Sequence, residues 1–183
     1  MHDEPTVFTI GHSTRATEDL VALLHARRVT RLIDVRRHPG SRRNPQFGQQ
    51  ALARSLDEAG IAYVHEPDLG GRRRPREGSP NAFWQNDQFR GYADHMVSDA
   101  FQQAVARVVD AAREAPVAVM CAELHPSRCH RRLLADALRL HGASIAHIVD
   151  ADRTEPHQPP AEMRRAPGGH PVYPATEQLE LWE

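Results

Sequence analysis

The 183-residue sequence contains no lysine: all 23 of its basic residues are arginine. The 24 acidic residues balance them to a formal net charge of -1, so bulk charge neither favours nor excludes nucleic acid as a partner. Arginine binds phosphate and carboxylate groups through paired hydrogen bonds, and here it clusters in the segments between apolar runs. If the chain binds an anion, these segments are the expected place.

Cysteines and long apolar runs are also scarce. The chain has two cysteines, Cys121 and Cys129, and its start has no secretory signal, which favours a reducing cytoplasm over a disulfide-stabilised scaffold. No apolar run approaches the length of a membrane span. We therefore predict a cytoplasmic protein without a membrane partner.

Five short apolar segments alternate with helical patterns over residues 1–153. The segments cover residues 7–10, 32–35, 61–64, 117–120 and 143–149. A first helix is expected after the first segment, with Thr14 or Thr17 as its possible cap. Further helices are expected over 49–59, over 93–115 as one long or broken helix, and after Cys129. This alternation predicts a single three-layer α/β domain with a mostly parallel, five-stranded, Rossmann-like sheet and helices on both faces.

The remaining segment, residues 154–183, contains six prolines and is predicted to be a Pro-rich C-terminal arm that lies on the domain or is loose. Near its end, Gln178, Leu179, Leu181 and Trp182 form the pattern Gln-Leu-x-Leu-Trp. This pattern resembles the Gln-Leu-x-Leu-Phe peptide by which bacterial replication and repair proteins bind the DNA polymerase sliding clamp, so we expect these side chains to bind that partner. The alternative is that the two leucines and the tryptophan fold onto the domain.

Both cysteines lie in residues 117–132, a stretch with the pattern of a strand, a polar loop and a helix. In open α/β sheets, ligands bind at such turns, beyond the carboxyl end of a strand and at a helix N-terminus. Cys129 is expected where the helix begins, and neighbouring arginines and the helix dipole favour its thiolate. We therefore predict Cys129 as a nucleophile, with a packed structural thiol as the alternative, and that alternative is favoured for Cys121.

Polar residues also follow the other predicted strands, and parallel strands end at one edge of a sheet, so these residues should converge there. The candidate catalytic residues are His12, Asp34, Glu123 and Cys129. The candidate substrate- or phosphate-binding residues are Ser13, Arg15, Arg36, Arg42 and Arg131. Taken singly, each has an ordinary structural alternative, such as a hydrogen-bonded core histidine or a solvated arginine.

A metal centre is a weaker interpretation of the same stretch. Cys121, His125, Cys129 and His130 are the possible ligands, but their spacing does not match common zinc sites, and the arginines around them oppose a cation. We therefore predict no metal ion and no cofactor. The match to a cysteine-phosphatase loop is also loose, because six residues separate Cys121 from Arg128, one more than in that loop.

Four motifs, in order along the chain, resemble one known family. They are TIGHSTR (9–15), LIDVRRHPGSRRNPQF (32–47), GIAYVHEPDLGG (60–71) and CAELHPSRCHR (121–131). Together, over roughly residues 7–150, they resemble the domain-of-unknown-function 488 (DUF488) family of bacterial and archaeal proteins. The resemblance implies an α/β domain and an enzyme whose reaction is not settled.

Three functions fit these predictions. The first is an enzyme acting on a nucleotide or DNA, in repair or modified-base processing, with arginines binding phosphates and Asp34 or Glu123 as acid or base in hydrolytic or glycosidic cleavage. The second is a sulfur-transfer or redox enzyme that uses Cys129 on a small anion. The third is a non-catalytic module that binds an anionic ligand. The clamp-like peptide favours the first, while substrate, reaction and oligomeric state stay open.

Overall fold

The computed structural model describes residues 4–40 and 42–175, and its centre is one six-stranded sheet. The strands are β1 (Thr6–Gly11), β2 (Arg31–Asp34), β3 (Ala62–His65), β4 (Val117–Cys121), β5 (Ser144–Ile148) and β6 (Thr154–Pro156), in the order β3-β2-β4-β1-β5-β6. All neighbours pair in parallel except β5 and β6, which are antiparallel. The predicted mixed α/β fold with a mostly parallel sheet is confirmed, whereas the predicted number of five strands is wrong.

The sixth strand comes from the segment predicted to be an arm. Ile148 pairs with Thr154 and Ala146 pairs with Pro156, at the edge of the sheet. Proline excludes a helix but not an edge strand, where its missing N–H group interrupts no ladder. Farther on, β7 (Arg164–Arg165) and β8 (Pro171–Val172) form a small antiparallel pair. The described part of the arm therefore lies on the domain.

Five α-helices cover the two faces of the sheet. They are α1 (Thr17–Ala26), α2 (Gln49–Glu58), α3 (Asp87–His95), α4 (Asp99–Glu114) and α5 (Arg131–Leu140), with 3-10 turns at Pro45–Phe47, Pro67–Leu69 and Pro126–Arg128. Along β4, Val117 and Val119 pack in the apolar cluster of α3, α4 and α5, while Ala118 and Met120 pack in the cluster of α1 and α2. The predicted three-layer arrangement is broadly compatible with these two clusters.

Helix boundaries differ from the prediction in two places. The pattern over 93–115 belongs to two helices, because α3 ends before Ser98, whose hydroxyl caps α4. At α1 the capping position is Ala16, which has no side-chain acceptor, so neither Thr14 nor Thr17 caps that helix as predicted. Among the described residues, none of the helices combines the length and the hydropathy of a membrane span.

The strand order leaves a crevice beyond the carboxyl ends of β1 and β4. These strands are neighbours, but the chain leaving β1 enters α1 on one face, and the chain leaving β4 enters α5 on the other. Where two adjacent strands connect to opposite faces, the loops diverge and open a space that binds ligands in open α/β sheets. Residues 12–14 and 122–124 therefore border the expected site.

A chain of buried hydrogen bonds joins the C-terminal segment to the core. Asp136 of α5 accepts hydrogen bonds from Tyr173 Oη at 2.6 Å and from His157 Nε2 at 2.7 Å. The other ring nitrogen of His157 lies 3.1 Å from His147 Nε2, and Thr9 Oγ1 lies 2.6 Å from His147 Nδ1. All five residues are buried, so this chain fixes the segment after β6 against α5 and β5.

We expect the fold to lose stability in mild acid because of His147. Burial, and secondarily His157, lowers the pKa of His147 from 6.5 to about 4. Between these values the unfolded chain binds a proton that the folded protein does not, so the stabilisation is complete above pH 6.5 and is lost as the pH falls towards 4. The shift corresponds to about 3 kcal/mol at most. Urea unfolding at several pH values should show this slope in the wild type and a shallower one in His147→Gln; equal slopes would contradict the assignment.

Candidate functional site

A cavity of about 480 Å³ lies at the carboxyl ends of β1 and β4. The basic side chains that line it are Arg36, Arg37, Arg72, Arg128, His12, His38 and His130. Glu123 is the only carboxylate among the described residues that line it, so the cavity has a marked excess of positive groups. A cavity with this charge attracts anions.

The cavity brings together five of the nine residues predicted as catalytic or substrate-binding. They are His12, Ser13, Arg36, Glu123 and Cys129. The other four are placed elsewhere: the Arg15 guanidinium donates to the carbonyls of Gly11 and Val149, Arg42 is exposed on its loop, and Asp34 and Arg131 are buried. The prediction that Arg15, Asp34 and Arg131 would lie in one pocket with the rest does not agree with the structure.

Asp34 is buried behind the cavity wall, where it fixes the position of Arg36. Its carboxylate is fully buried and accepts hydrogen bonds from Arg36 Nε at 2.9 Å and from Arg36 Nη2 at 2.7 Å. Tyr63 Oη donates to the same carboxylate at 2.7 Å, and burial, followed by this hydrogen bond, raises the pKa of Tyr63. Both oxygens of Asp34 are thus engaged, so the residue orients an arginine instead of facing a substrate.

His12 is held as a neutral ring above Phe47. Arg36 Nη1 lies 3.2 Å from His12 Nε2, and a guanidinium can only donate, so Nε2 is the acceptor and Nδ1 carries the proton. That N–H group donates to the carbonyl of Ser13 at 2.8 Å. Burial lowers the pKa of His12, and Arg36 lowers it further, which favours the same neutral form. His12 therefore adds a polar wall to the cavity, and its one lone pair is engaged by Arg36.

Arg131 supports the loop that borders the cavity. Its side chain is buried, and its guanidinium donates to Thr9 Oγ1 at 3.1 Å and to the backbone carbonyls of Glu123 and Leu124. This loop passes so close to β1 that a β-carbon on Gly11 would lie 1.9 Å from the Glu123 carbonyl oxygen. Arg131, predicted to bind phosphate, is thus buried and engaged with this loop and does not line the cavity.

Two thiols and one imidazole form a compact group in the cavity wall, named here the thiol–imidazole cluster: Cys121, Cys129 and His130. Cys121 ends β4, while Cys129 and His130 lie between a 3-10 turn and α5. Each sulfur lies 3.8 Å from His130 Nδ1, and all three polar atoms lie within 4.8 Å of one another. His125, the fourth ligand of the sequence-based metal interpretation, is exposed and outside this group.

The two thiols differ in acidity. A hydrogen bond from the Cys121 thiol lowers the pKa of Cys129, and His130 and Arg131 lower it further, against the opposing effect of burial. The same hydrogen bond, together with burial, raises the pKa of Cys121. A stabilised Cys129 thiolate agrees in direction with the sequence prediction, although the first cause is Cys121 and not the arginines.

Several cavity residues were not predicted as site residues. Cys121 was expected to be structural, yet it lines the cavity together with His130. Arg72 comes from an arginine- and glycine-rich loop, and no local sequence pattern shows which way this loop runs. Phe89 also lines the cavity and lies in the first turn of α3. The start of α3 could have been predicted from the sequence, because asparagine is a preferred N-cap residue. Asn86 caps this helix by accepting hydrogen bonds from two backbone N–H groups.

Fold and site together define an α/β protein with a cationic cavity that contains two thiols at the carboxyl ends of its central strands. A profile of the family described as Domain of unknown function DUF488 matches residues 16–138, more than half of the chain. The chain therefore belongs to the DUF488 family, as its motifs predicted. Comparison with curated proteins and with solved structures finds no match in either set. The predicted clamp-binding residues Gln178, Leu179, Leu181 and Trp182 lie outside the described residues.

Proposed function

We propose that the protein is an enzyme that acts on a phosphate-bearing substrate, a nucleotide or DNA, bound in the cationic cavity. The observation that carries this proposal is the set of four arginines that line a space of about 480 Å³. Guanidinium groups bind phosphate through paired, charge-assisted hydrogen bonds, and the volume lies in the range of small-ligand sites. Modified-base processing or repair, by hydrolytic or glycosidic cleavage, is the proposed class of reaction.

Of the two carboxylates predicted as acid or base, Glu123 fits this proposal better. It is exposed and lines the cavity, and Arg131 holds its backbone. Asp34 is fully buried, and both of its oxygens already accept hydrogen bonds. In the proposed reaction Glu123 exchanges protons with the substrate or with water, while Asp34 keeps Arg36 oriented towards the phosphate.

Arg128→Gln is expected to weaken binding of a phosphate-bearing ligand about tenfold, the effect of losing one charge-assisted hydrogen bond. Arg128 suits this test because its exposed side chain lines the cavity and makes no hydrogen bond or ion pair with the described part of the chain. Binding of labelled oligonucleotides and of nucleoside monophosphates would be measured by titration. Oligonucleotides with modified bases, incubated with the protein and examined by mass spectrometry, would show any product.

Arg54→Gln is the matched control, since Arg54 is exposed on α2 and does not line the cavity. It should bind the same ligands as the wild type does. Equal binding by both variants would contradict the cavity as the phosphate site. Binding that depends on Arg128 but gives no product with any substrate would favour the non-catalytic anion-binding module.

A cysteine-dependent sulfur-transfer or redox enzyme acting on a small anion is the second candidate. The observation that favours it is the pair of thiols in the cavity wall, of which Cys129 has the lowered pKa. In such a reaction the Cys129 thiolate takes the outer sulfur of an anionic sulfane donor as a persulfide, and the rest of the donor leaves with the bonding electron pair. This function requires both thiols to be free of metal.

The C-terminal peptide belongs to the first proposal. Docking of Gln178, Leu179, Leu181 and Trp182 on the DNA polymerase sliding clamp would keep the cavity near DNA and raise its effective concentration there. These residues directly follow the Pro-rich segment. In this proposal the peptide would bind the clamp while the cavity acts on DNA nearby. This docking stays a prediction.

A further inference from the structure

We propose that the thiol–imidazole cluster binds a Zn²⁺ ion in the wall of the cationic cavity. Thiolate sulfur and imidazole nitrogen are the ligands that zinc prefers, and two cysteines with one histidine occur in catalytic zinc sites that keep one position open. The inference goes beyond the proposed function, because it depends on the cluster and not on which substrate the cavity binds.

The spacing of the three atoms suits a tetrahedral zinc ion. With Zn–S bonds of about 2.3 Å and a Zn–N bond of about 2.0 Å, a sulfur and a nitrogen ligand lie roughly 3.6 Å apart. In the protein, His130 Nδ1 lies 3.8 Å from Cys121 Sγ and 3.8 Å from Cys129 Sγ. The two sulfurs lie within 4.8 Å of each other, so three different backbone positions already bring the ligand atoms close to the spacing that zinc needs.

Hydrogen bonding alone accounts poorly for this arrangement. Each sulfur lies 3.8 Å from His130 Nδ1, but this nitrogen has either one N–H group to donate or one lone pair to accept with, so it can form a full hydrogen bond to only one of the two sulfurs. The other nitrogen, Nε2, is buried and forms no hydrogen bond within the described part of the chain, so no such bond explains the orientation of the ring. A metal ion satisfies all three atoms together because their lone pairs can converge on one point.

The backbone of Gly71 packs closely against the imidazole of His130. A β-carbon on Gly71 would lie 2.8 Å from His130 Nδ1 and 3.2 Å from its Cγ, so any larger residue would crowd this nitrogen. Gly71 lines the same cavity as the three ligands. Because Cys121, Cys129 and His130 all line the cavity, a fourth ligand, such as water or a substrate atom, can approach the ion from there.

The nearby arginines do not oppose this ion. Two thiolates neutralise the charge of Zn²⁺, so a site with two thiolates and one neutral imidazole has no net charge to repel Arg36 or Arg128. The backbone N–H group of Arg131 lies 3.5 Å from Cys129 Sγ and can donate to a thiolate. The sequence-based objection to a metal applied to a bare cation and to four ligands including His125, which the cluster does not contain.

If the proposed function also holds, the ion would activate water beside bound phosphate. Zinc lowers the pKa of a bound water molecule, and the resulting hydroxide can add to the substrate while the leaving group takes the proton. Hydrolysis of this kind adds one water molecule across the broken bond and needs no oxidant or reductant. It would also activate the attacking water, which Asp34, predicted as an acid or base, cannot do while both of its oxygens are engaged.

The wild-type protein gives the first measurement. Untagged protein, purified without chelators, is expected to contain about one zinc ion per chain by plasma mass spectrometry. Replacement of zinc by Co²⁺ should produce the thiolate-to-cobalt charge-transfer band and the intense visible bands of tetrahedral coordination. Both thiols should react with a disulfide reagent only after a chelator removes the metal. Zinc far below one per chain, together with no cobalt bands, would overturn the proposal.

Substitutions then locate the ion. Cys121→Ser, Cys129→Ser and His130→Gln should each weaken zinc binding more than about 100-fold, because losing a ligand exceeds the 10- to 100-fold effect typical of outer-shell partners. His125→Ala is the matched control in the same loop and should keep one zinc ion per chain. If a ligand variant does not fold, the cobalt spectrum and thiol protection of the wild type decide. Full zinc content in all three ligand variants, or loss of zinc in His125→Ala, would refute the site.

The outcome for zinc is separable from the outcome for the substrate. A zinc-free protein that still binds nucleotide through Arg128 would refute the metal site and leave the proposed function intact. A zinc-bound protein with no affinity for nucleotide or oligonucleotide would support the metal site and contradict the proposed function. A zinc-free protein that forms a Cys121–Cys129 disulfide on mild oxidation would refute the metal site and favour the sulfur-transfer or redox candidate.

Discussion

Replacing Asp34 by alanine is expected to lower the free energy of unfolding by about 3–5 kcal/mol. The side chains of Asp34 and Arg36 are 0% and 8% exposed, so the substitution leaves a buried guanidinium charge without its counter-ion. Tyr63 loses its acceptor in the same change. Urea unfolding followed by circular dichroism would measure the effect, and ligand binding should weaken because Arg36 is no longer held in the cavity wall.

Tyr63→Phe provides the control for this result. It removes one hydrogen bond to Asp34 but keeps the ion pair, so we expect a loss of only about 1 kcal/mol. If Asp34→Ala unfolds at nearly the wild-type urea concentration while enzymatic activity disappears, the carboxylate would be a catalytic acid or base and the structural assignment would be wrong.

Replacing Asp136 by alanine should have a comparable effect on stability, about 2–5 kcal/mol, because two buried donors lose their acceptor. The substitution removes the acceptor shared by His157 and Tyr173, all three of which are buried. It therefore frees the segment after β6 from α5 as well as leaving polar groups unpaired. We expect a lower urea midpoint and faster proteolytic cleavage between residues 157 and 173.

Tyr173→Phe separates the two contributions of this site. It keeps the buried aromatic ring but removes one hydrogen bond, so the expected loss is about 1–2 kcal/mol, without faster cleavage of the segment. Unchanged stability of Asp136→Ala would show that the buried polar chain does not hold the C-terminal segment in solution.

The position of the site could be predicted from the sequence, because it follows from topology. Parallel strands end at one edge, so polar residues shortly after them, such as His12 after β1 and Glu123 after β4, had to lie near one another, and Cys129, just before α5, was expected beside them. The connections to opposite faces that open the cavity between β1 and β4 depend on strand order, which the sequence pattern did not define. The sequence therefore predicted the sheet edge at which the cavity lies, but not the shape of the cavity.

The roles of individual charged residues were less predictable, because sequence position does not show burial. Arg131 was assigned to phosphate, yet its spacing carried a usable signal: Leu134 and Leu138 follow at three and seven residues, which puts Arg131 on a buried face of α5. No comparable signal existed for Asp34, which lies in a strand with polar partners from other elements. Partners that are distant in sequence decide whether such a charge is exposed or paired.

The sixth strand was missed for a similar reason. The prolines of residues 154–160 correctly argued against a helix, but they could not show that the open side of β5 would accept a short antiparallel strand. A strand at a sheet edge pairs with whichever neighbour the folded domain places there, and the local sequence does not show which neighbour that is.

The central position of β1 also determines when the chain can fold during synthesis. Val7 pairs with Val117 of β4 and with Ile145 of β5, so both partner strands of β1 lie in the second half of the chain. Until the ribosome has released that half, β1 has two unpaired edges, and only β2 and β3 can pair with each other. Such late, long-range pairing slows folding and exposes apolar strands to aggregation. A chaperone would therefore protect this protein most while only the first half of the chain has left the ribosome.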